Sequence, residues 1–424
     1  MDKEKLKKEL HVNGFLYWVY KSAADFLCHT KLHVKFDRTE FKNRDKNKGI
    51  LLIYDHQCIY DHFVIASFFG QKNKVNHVVT NRQCFNHTLR KFFKIVKSIP
   101  RDQFKNDTVS IRQMKRVLDN KGIVSLAPSG QISIDGSLPY IHPAIVKLIK
   151  LFKVDVWAFK AEGTYLAMPK WGTASRHYPI NATCTKVLDG DKVKKMDDDE
   201  IYRIVTSSID AHDVERNHEK HQEIKGKNLA KGLEKFLIYC PKCMHKYTLS
   251  TDGNEIVCSH CGNKITYNHY GELVGNGNDY VLPKDESVWY DLQENFLRNE
   301  LLAGDYKLSS KVTLWRNNHD PLELESVGTG VLTYNVDKII YTGTCDDKPY
   351  TKEFNLAMVY QLPFAPATRF NIPDEEGVFE FVPDNKLEII EWVMLVDVIN
   401  KIKEEKRKKK EALEAKEKEE NNAN

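Results

Sequence analysis

Between residues 36 and 212 short apolar runs alternate with longer stretches of helical periodicity. The runs at 49–54, 75–80, 122–127 and 154–159 have the length and β-branched content of buried strands. Helical segments are expected near 61–70, 84–97, 108–120 and 139–152. Asp107 or Thr108 is placed to cap the third and Gly122 to end it, while Pro139 suits the first turn of the fourth. A strand near 178–188 and a helix near 197–212, entered through acidic residues that complement its dipole, complete the unit. This alternation predicts an α/β domain with a mostly parallel sheet covered on both faces.

Outside that domain the pattern changes. Residues 1–35 predict amphipathic helices whose apolar positions include Leu6, Leu10, Phe15, Trp18, Val19, Phe26 and Leu27. That stripe either packs on the sheet or dips into a lipid headgroup layer beside Lys3, Lys5, Lys7 and Lys8. Residues 213–235 are charged and weakly patterned, so they read as a linker. From 285 to 402 short alternating strands precede a helix at 386–402 with a broad apolar stripe, a small β-rich α+β domain. This order of elements faintly resembles a pleckstrin-homology or GRAM-like barrel. The tail 403–424 is Lys/Glu/Ala-rich, a solvated helix.

Cys240-Pro241-Lys242-Cys243 and Cys258-Ser259-His260-Cys261 form two CxxC knuckles within residues 236–272. Four thiolates at this spacing close a tetrahedral metal site, and Gly262 permits the tight turn of the second knuckle. Structural Zn²⁺ is the expected occupant, with a rubredoxin-type iron as the alternative. His245, His260 and His269 read as surface residues rather than ligands.

Composition narrows the setting. Lys plus Arg number 64 against 59 Asp plus Glu, a net +5 that suits an anionic surface without a concentrated nucleic-acid patch. No apolar run is long enough to span a bilayer, and the first residues lack the features of a signal peptide. Nine cysteines, five of them scattered singly, suit a reducing compartment. The expected location is cytoplasmic, peripheral on the inner face of the membrane.

The densest chemistry lies in Asp55-His56-Gln57-Cys58-Ile59-Tyr60-Asp61, directly after the first strand. A histidine beyond the carboxyl end of a parallel strand sits where open α/β sheets place their chemistry. A carboxylate five residues on can fix its tautomer and leave the second ring nitrogen free for a proton. This stretch resembles the Asn-His-Gln-Ser-x-x-Asp signature of the glycerophospholipid acyltransferase family, lysophosphatidic acid acyltransferases being the nearest comparison. The resemblance implies that His56 is general base on an acceptor hydroxyl, that Asp61 orients it, and that the oxygen attacks an acyl thioester directly.

Ser98-Ile99-Pro100-Arg101-Asp102 is similar to the second family signature, which implies that Arg101 holds the acceptor's phosphate. The third, Phe-Pro-Glu-Gly-Thr-Arg-Ser in the family, reads Leu126-Ala127-Pro128-Ser129-Gly130-Gln131-Ile132-Ser133 here. Ser129 and Gly130 then form a modified acceptor loop that lacks the family's Glu and Arg. Lys160 is a candidate for an added phosphate contact, and Glu162, in a displaced Glu-Gly-Thr, for a substitute carboxylate. The apolar loop 163–172 either rims an acyl tunnel or simply packs.

The expected activity is transfer of a fatty acyl group from acyl-CoA or acyl carrier protein to a lysophospholipid or related hydroxyl. The alternative is a non-catalytic lipid- or protein-binding scaffold that keeps the acyltransferase fold.

Overall fold

The computed structural model describes residues 12–81, 92–94, 96–102, 107–275, 280–317 and 323–423. The chain divides into two compact units, one of residues 1–234 with 240–288 and one of 235–239 with 289–424.

The first unit opens with α1 (Gly14–Thr30), capped by the Asn13 side chain, which accepts from the N–H groups of Phe15 and Leu16. Then come β1 (Val34–Phe36), α2 (Thr39–Lys42), β2 (Ile50–Tyr54), α3 (Asp61–Phe69) and β3 (Val75–Thr80). β4 (Ile99–Arg101), α4 (Thr108–Asp119), β5 (Ile123–Leu126), α5 (Ala144–Phe152) and β6 (Asp155–Glu162) follow. After α6 (Thr164–Ala167) and β7 (Arg176–His177) come β8 (Ile180–Leu188), α7 (Asp198–Ile209), α8 (Asp213–Lys220) and β9 (Lys225–Gly226). Seven strands form one sheet in the order β1-β8-β6-β2-β5-β3-β4. Every neighbouring pair is parallel except β6 with β8. All five residues of β2 are buried, as a central parallel strand requires.

On one face, β2, β5 and β6 contribute Leu51, Ile53, Val124 and Val156 to a core with α4, α5 and α7, including Met114, Ile149 and Val205. On another, Tyr17, Tyr20 and Ala24 of α1 pack with Ala66, Val96 and partly buried Phe63 and Phe92.

Several boundaries move from those expected. α5 starts at Ala144 with Pro143 at its N-cap, so Pro139 lies in the preceding loop and not in the first turn. The expected helix at 84–97 falls largely outside the described residues, as do Leu6, Leu10 and the lysines at 3, 5, 7 and 8. The expected linker 213–235 is instead folded into the unit: Val214, Ile224, Leu229, Ala230 and Leu233 are buried. Asp213 accepts from the N–H groups of Gly163 at 2.8 Å and Tyr165 at 3.0 Å, which ties α8 to the end of β6.

Four short antiparallel strands complete the unit: β10 (Leu249–Asp252), β11 (Glu255–Cys258), β12 (Lys264–Tyr267) and β13 (Leu273–Gly275). Helix α9 (Glu286–Ala303) has no counterpart in the sequence reading.

The second unit is a seven-stranded antiparallel sheet with a terminal helix. Its strands are β14 (Ser309–Arg316), β15 (Glu325–Asn335), β16 (Lys338–Cys345), β17 (Lys348–Asn355), β18 (Phe364–Ala365), β19 (Arg369–Asp374) and β20 (Gly377–Pro383). Their order is β17-β16-β15-β14-β20-β19-β18. Helix α10 (Glu388–Ala423) buries Ile390, Trp392, Val393 and Val396 near its start, and Trp392 donates to Ser310 Oγ at 2.9 Å. The stripe at 386–402 and the charged tail are thus one continuous helix.

Candidate functional site

β2 delivers the chain to the C-terminal edge of the sheet, and residues 55–60 turn it into α3. His56 Nδ1 lies 2.8 Å from Asp61 Oδ2. The same oxygen accepts from the backbone N–H groups of Gln57 at 2.9 Å and Cys58 at 3.1 Å, while the Cys58 thiol points at Oδ1 from 3.4 Å. Asp61 is the first residue of α3, where the helix dipole favours a carboxylate. It is 3% exposed, so its position is fixed by bonds and packing together. The imidazole is about one quarter exposed. With Nδ1 committed to Asp61, Nε2 is the nitrogen left to exchange a proton with a bound molecule.

The loop after β5 holds this arrangement from the other side. Ser133 N–H donates to His56 O at 2.8 Å, and Ser133 Oγ bonds Ser137 O at 2.7 Å and Gly136 N at 2.9 Å. Ser133 therefore fixes the histidine's backbone, a role that its residue type alone did not announce. Ser129 is 2% exposed and its hydroxyl donates to Gln131 O at 3.2 Å. The sequence cast Ser129 as an acceptor contact, but its hydroxyl closes its own loop. Gly130 is exposed at the tip with φ +69°, a left-handed conformation that suits glycine.

Asp55 stands where the family signature has asparagine. It is buried, receives the Gln57 side-chain amide, and its Oδ1 has no hydrogen-bond partner among the described residues. Burial, joined by the nearby Asp210, Asp61 and Asp213 against the opposing bond from Gln57, pushes its carboxyl well above the usual range. The neutral acid so favoured has the shape of an asparagine side chain, with O–H in place of NH₂.

Lys160 follows the Tyr54–Phe159 register pair of β2 and β6, so it stands beside Asp55. Burial and the Arg216 charge lower its pKa, and Asp210, Asp55 and Asp213 oppose them. Lys160 is therefore half-buried beside a second cation, Arg216, in a setting that weakens its own charge. Glu162 is ion-paired with Arg216 and lies 3.6 Å from Lys220, so it fastens α8 and does not replace the lost acceptor-loop carboxylate. The loop 163–172 packs: Tyr165 and Trp171 are fully buried, and Trp171 Nε1 donates to the Tyr165 hydroxyl at 2.9 Å.

Arg101 ends β4 on the same edge of the sheet as His56. Three strand spacings, about 14 Å, separate the ends of β2 and β4. Burial holds the Arg101 guanidinium below its usual range while Asp107 opposes the shift; an arginine remains charged there. Two histidines lie near these strands, His77 buried on β3 and His62 partly buried on α3. His77 Nδ1 is 2.8 Å from Ser125 Oγ, and its ring centroid is 6.2 Å from that of His62. Burial holds His62 down at about 4, assisted by the His56 charge, and holds His77 down at about 3, assisted by His62. Tyr20 of α1 donates to His62 O at 2.8 Å. Helix α1 is thereby pinned to the element that carries Asp61. Its outer side leaves Phe15 at 69%, Trp18 at 53% and Phe26 at 71% exposure, and Ile59 of the loop between His56 and Asp61 is 59% exposed.

The four cysteines converge. Cys240 Sγ is 3.7 Å from Cys261 Sγ and Cys243 Sγ 3.8 Å from Cys258 Sγ, and all four sulfurs lie within 4.8 Å of one another. A tetrahedron with metal–sulfur bonds of about 2.3 Å has edges of about 3.8 Å, so the donor set fits a four-coordinate ion. Burial opposes ionisation of Cys258, but the Thr248 hydroxyl at 3.2 Å and the N–H groups of Cys261 and His260 outweigh it and pull the thiol down to about 6. Gly262 follows with φ +70°, as the tight turn requires. His245 and His260 are exposed with stacked rings, and one nitrogen of each lies within 4.8 Å of Cys243 Sγ. His269 Nδ1 lies 3.1 Å from Ile224 O.

Residues 34–175, a third of the chain, match the model of the family described as Acyltransferase. Among solved structures, the chain is similar to the 1-acyl-sn-glycerophosphate (LPA) acyltransferase PlsC from Thermotoga maritima, at 16% identity and a TM-score of 0.38. That likeness covers 52% of this chain and 83% of the other. No curated protein matches the chain. No helix among the described residues is long and apolar enough to cross a membrane.

Proposed function

We propose that this protein transfers a fatty acyl group from a thioester, acyl-CoA or acyl carrier protein, to the hydroxyl of a lysophospholipid or related alcohol. The observation that carries the reading is the 2.8 Å His56–Asp61 bond at the C-terminal edge of the sheet, inside the stretch that matches the acyltransferase model. His56 Nε2 takes the proton as the acceptor oxygen forms its bond to the thioester carbonyl carbon. The carbon–sulfur bond then breaks, and the imidazolium returns the proton to the departing thiolate. Asp61 holds the ring and balances its transient charge, a pairing with a typical general-base effect of about 10²–10⁴-fold. Arg101 receives the acceptor's anionic group, while the loss of Glu and Arg around Ser129-Gly130 broadens acceptor choice beyond glycerol phosphates.

The exposed Phe15, Trp18, Phe26 and Ile59 support peripheral docking on a membrane beside the catalytic loop, on the inner face of the cell membrane. The four-sulfur site is assigned to a structural Zn²⁺ that stabilises the β10–β13 sheet; with every position filled by sulfur it has none for substrate. Purified protein then contains about one equivalent of zinc by elemental analysis.

The test is thioester consumption over a panel of lysolipid and alcohol acceptors. Wild-type protein turns over with at least one acceptor, and His56→Ala abolishes turnover with its folding and metal content intact. Undiminished activity in that variant overturns the mechanism. Absence of turnover with every acceptor, together with tight liposome binding, establishes the scaffold reading instead.

A further inference from the structure

The opposite edge of the same sheet carries a different chemistry. A cavity of about 710 Å³ opens where β2, β3 and β5 begin, lined by Ile50 and Ile123 at their first residues and by segments 42–48, 72–76 and 116–122. Eight of its sixteen lining residues are lysine or arginine, and none is aspartate or glutamate.

Two of the eight have an acidic neighbour. Lys48 is paired with Asp191 at 2.5 Å and lies 3.9 Å from Asp155, and Lys42 feels the charge of Asp37. The other six (Arg44, Lys46, Lys72, Lys74, Arg116 and Lys121) make no ion pair among the described residues. Those with a hydrogen bond use neutral oxygens: Arg44 donates to Asn73 Oδ1, Lys74 to Val12 O at 2.9 Å and Lys121 to Asn47 Oδ1 at 3.2 Å.

Helix ends explain only part of this charge. α2, α3 and α4 all end at this edge. A helix C-terminus carries about half a negative charge, so three supply at most about −1.5 against six unpaired cations. The remainder is a positive field focused in a concave, partly apolar site whose floor includes Val12, Ile50, Val117 and Ile123. Its volume suits a small molecule of nucleotide size rather than a single phosphate ion.

Ile50 and His56 stand at opposite ends of β2, about 20 Å apart at the rise of an extended strand, with the buried strand between them. A ligand here does not reach the imidazole. We propose that this cavity is a second binding site, separate from acyl transfer, for a multiply phosphorylated ligand of nucleotide size. The apolar floor takes its ring or carbon portion, and the convergent lysines and arginines take its phosphates.

The experiment is calorimetric titration of the full-length protein with ATP, sodium tripolyphosphate and orthophosphate in about 50 mM salt, where charge–charge attraction is weakly screened. ATP and tripolyphosphate bind saturably, one per chain, and orthophosphate more weakly by about tenfold or more. Lys72→Glu and Arg116→Glu each weaken tripolyphosphate about tenfold, while the surface control Lys264→Glu on β12 and the opposite-edge variant Arg101→Gln do not. Circular dichroism verifies the fold, and Lys72→Gln and Arg116→Gln replace any reversal variant that fails to fold. A parallel arm with vesicles containing an inositol bisphosphate lipid identifies the source. Tighter binding there, lost in the same variants, makes the phosphate a headgroup, and tighter ATP binding makes it a free ligand. Absence of saturable binding, or equal losses in pocket and control variants, overturns the proposal.

Discussion

The two edges of the central sheet are electrostatic opposites, although one set of parallel strands builds both. At the C-terminal edge β2 runs into a loop where Asp55, Asp61, Asp210 and Asp213 gather with half-buried Lys160, Arg216 and one imidazole, a mixture of both signs rich in carboxylates. At the N-terminal edge the same strand starts beside a cavity with eight cations and no carboxylate. Topology supplies the sign of the difference. In a parallel sheet the covering helices begin at the C-terminal edge and end at the other, so their dipoles favour anions on one side and cations on the other. Asp61 at the start of α3 and Arg116 in the last turn of α4 both follow that rule. What exceeds the rule is informative: carboxylates with raised pKa at one edge, unpaired lysines and arginines at the other.

The largest expected effect tests whether the proposed catalysis depends on Asp61 as an anion or only as a shape. Asp61→Asn keeps the volume and accepts the same backbone N–H bonds, but it no longer balances an imidazolium and permits the wrong tautomer. Acyl transfer falls by about 10³-fold or more at pH 7. Tripolyphosphate binding at the far edge is unchanged, as a calorimetric control shows. A drop below about tenfold makes the dyad an accident of packing.

A second expectation uses pH to separate the edges. His62 and His77 are held near 4 and 3 when folded, against about 6.5 for a free ring. Below pH 6.5 the unfolded chain takes up protons that the folded chain refuses, so stability falls as pH drops from about 6.5 toward 4. The slope reaches roughly 1.4 kcal/mol per pH unit for each ring. Urea unfolding at several pH values measures it. His77→Leu combined with Ser125→Ala, which avoids stranding the hydroxyl, removes about half of the slope. An unchanged slope in that variant places the acid sensitivity elsewhere.

The His56–Asp61 edge was legible in the sequence because its parts are local. A buried strand is a run of apolar residues, and His56 and Asp61 lie within six residues of each other. Arg101 was legible only through the likeness of Ser98–Asp102 to the second family signature, as a turn residue; the short strand that it ends and its burial were not. The four clustered cysteines were legible for the same reason of spacing. The segment 213–235 misled because its few apolar residues are widely separated and two of its buried residues, Asp213 and Asn217, are polar. Helix α9 was missed because it buries Gln293 and Glu294 beside Trp289 and Leu297, which breaks the apolar periodicity. Gln293 is needed there to accept from Ile238 N–H at 2.6 Å and Tyr239 N–H at 3.0 Å. The cationic cavity had no sequence signature at all. Its charges come from three separated stretches, each reading as an ordinary solvated face, and the net charge of +5 conceals their convergence.

The smallest effect is the sharpest test of the second edge, because it strengthens binding. Lys48 is the one cavity cation with close ion-pair partners, and of these Asp191 is the exposed one, with 77% of its side chain in solvent. Exposed pairs of this kind are screened by solvent and contribute little, so releasing Lys48 costs little stability. Asp191→Asn adds the freed ammonium to the cavity's field and removes a nearby negative charge from the ligand's path. Tripolyphosphate then binds about two- to fivefold more tightly, and the gain disappears above about 0.5 M salt as screening shortens the field. Charge reversals that weaken binding can be attributed to general damage, whereas a gain from neutralising one surface carboxylate cannot. An affinity identical to wild type at low salt separates Lys48 from the phosphate site and confines it to the remaining seven cations.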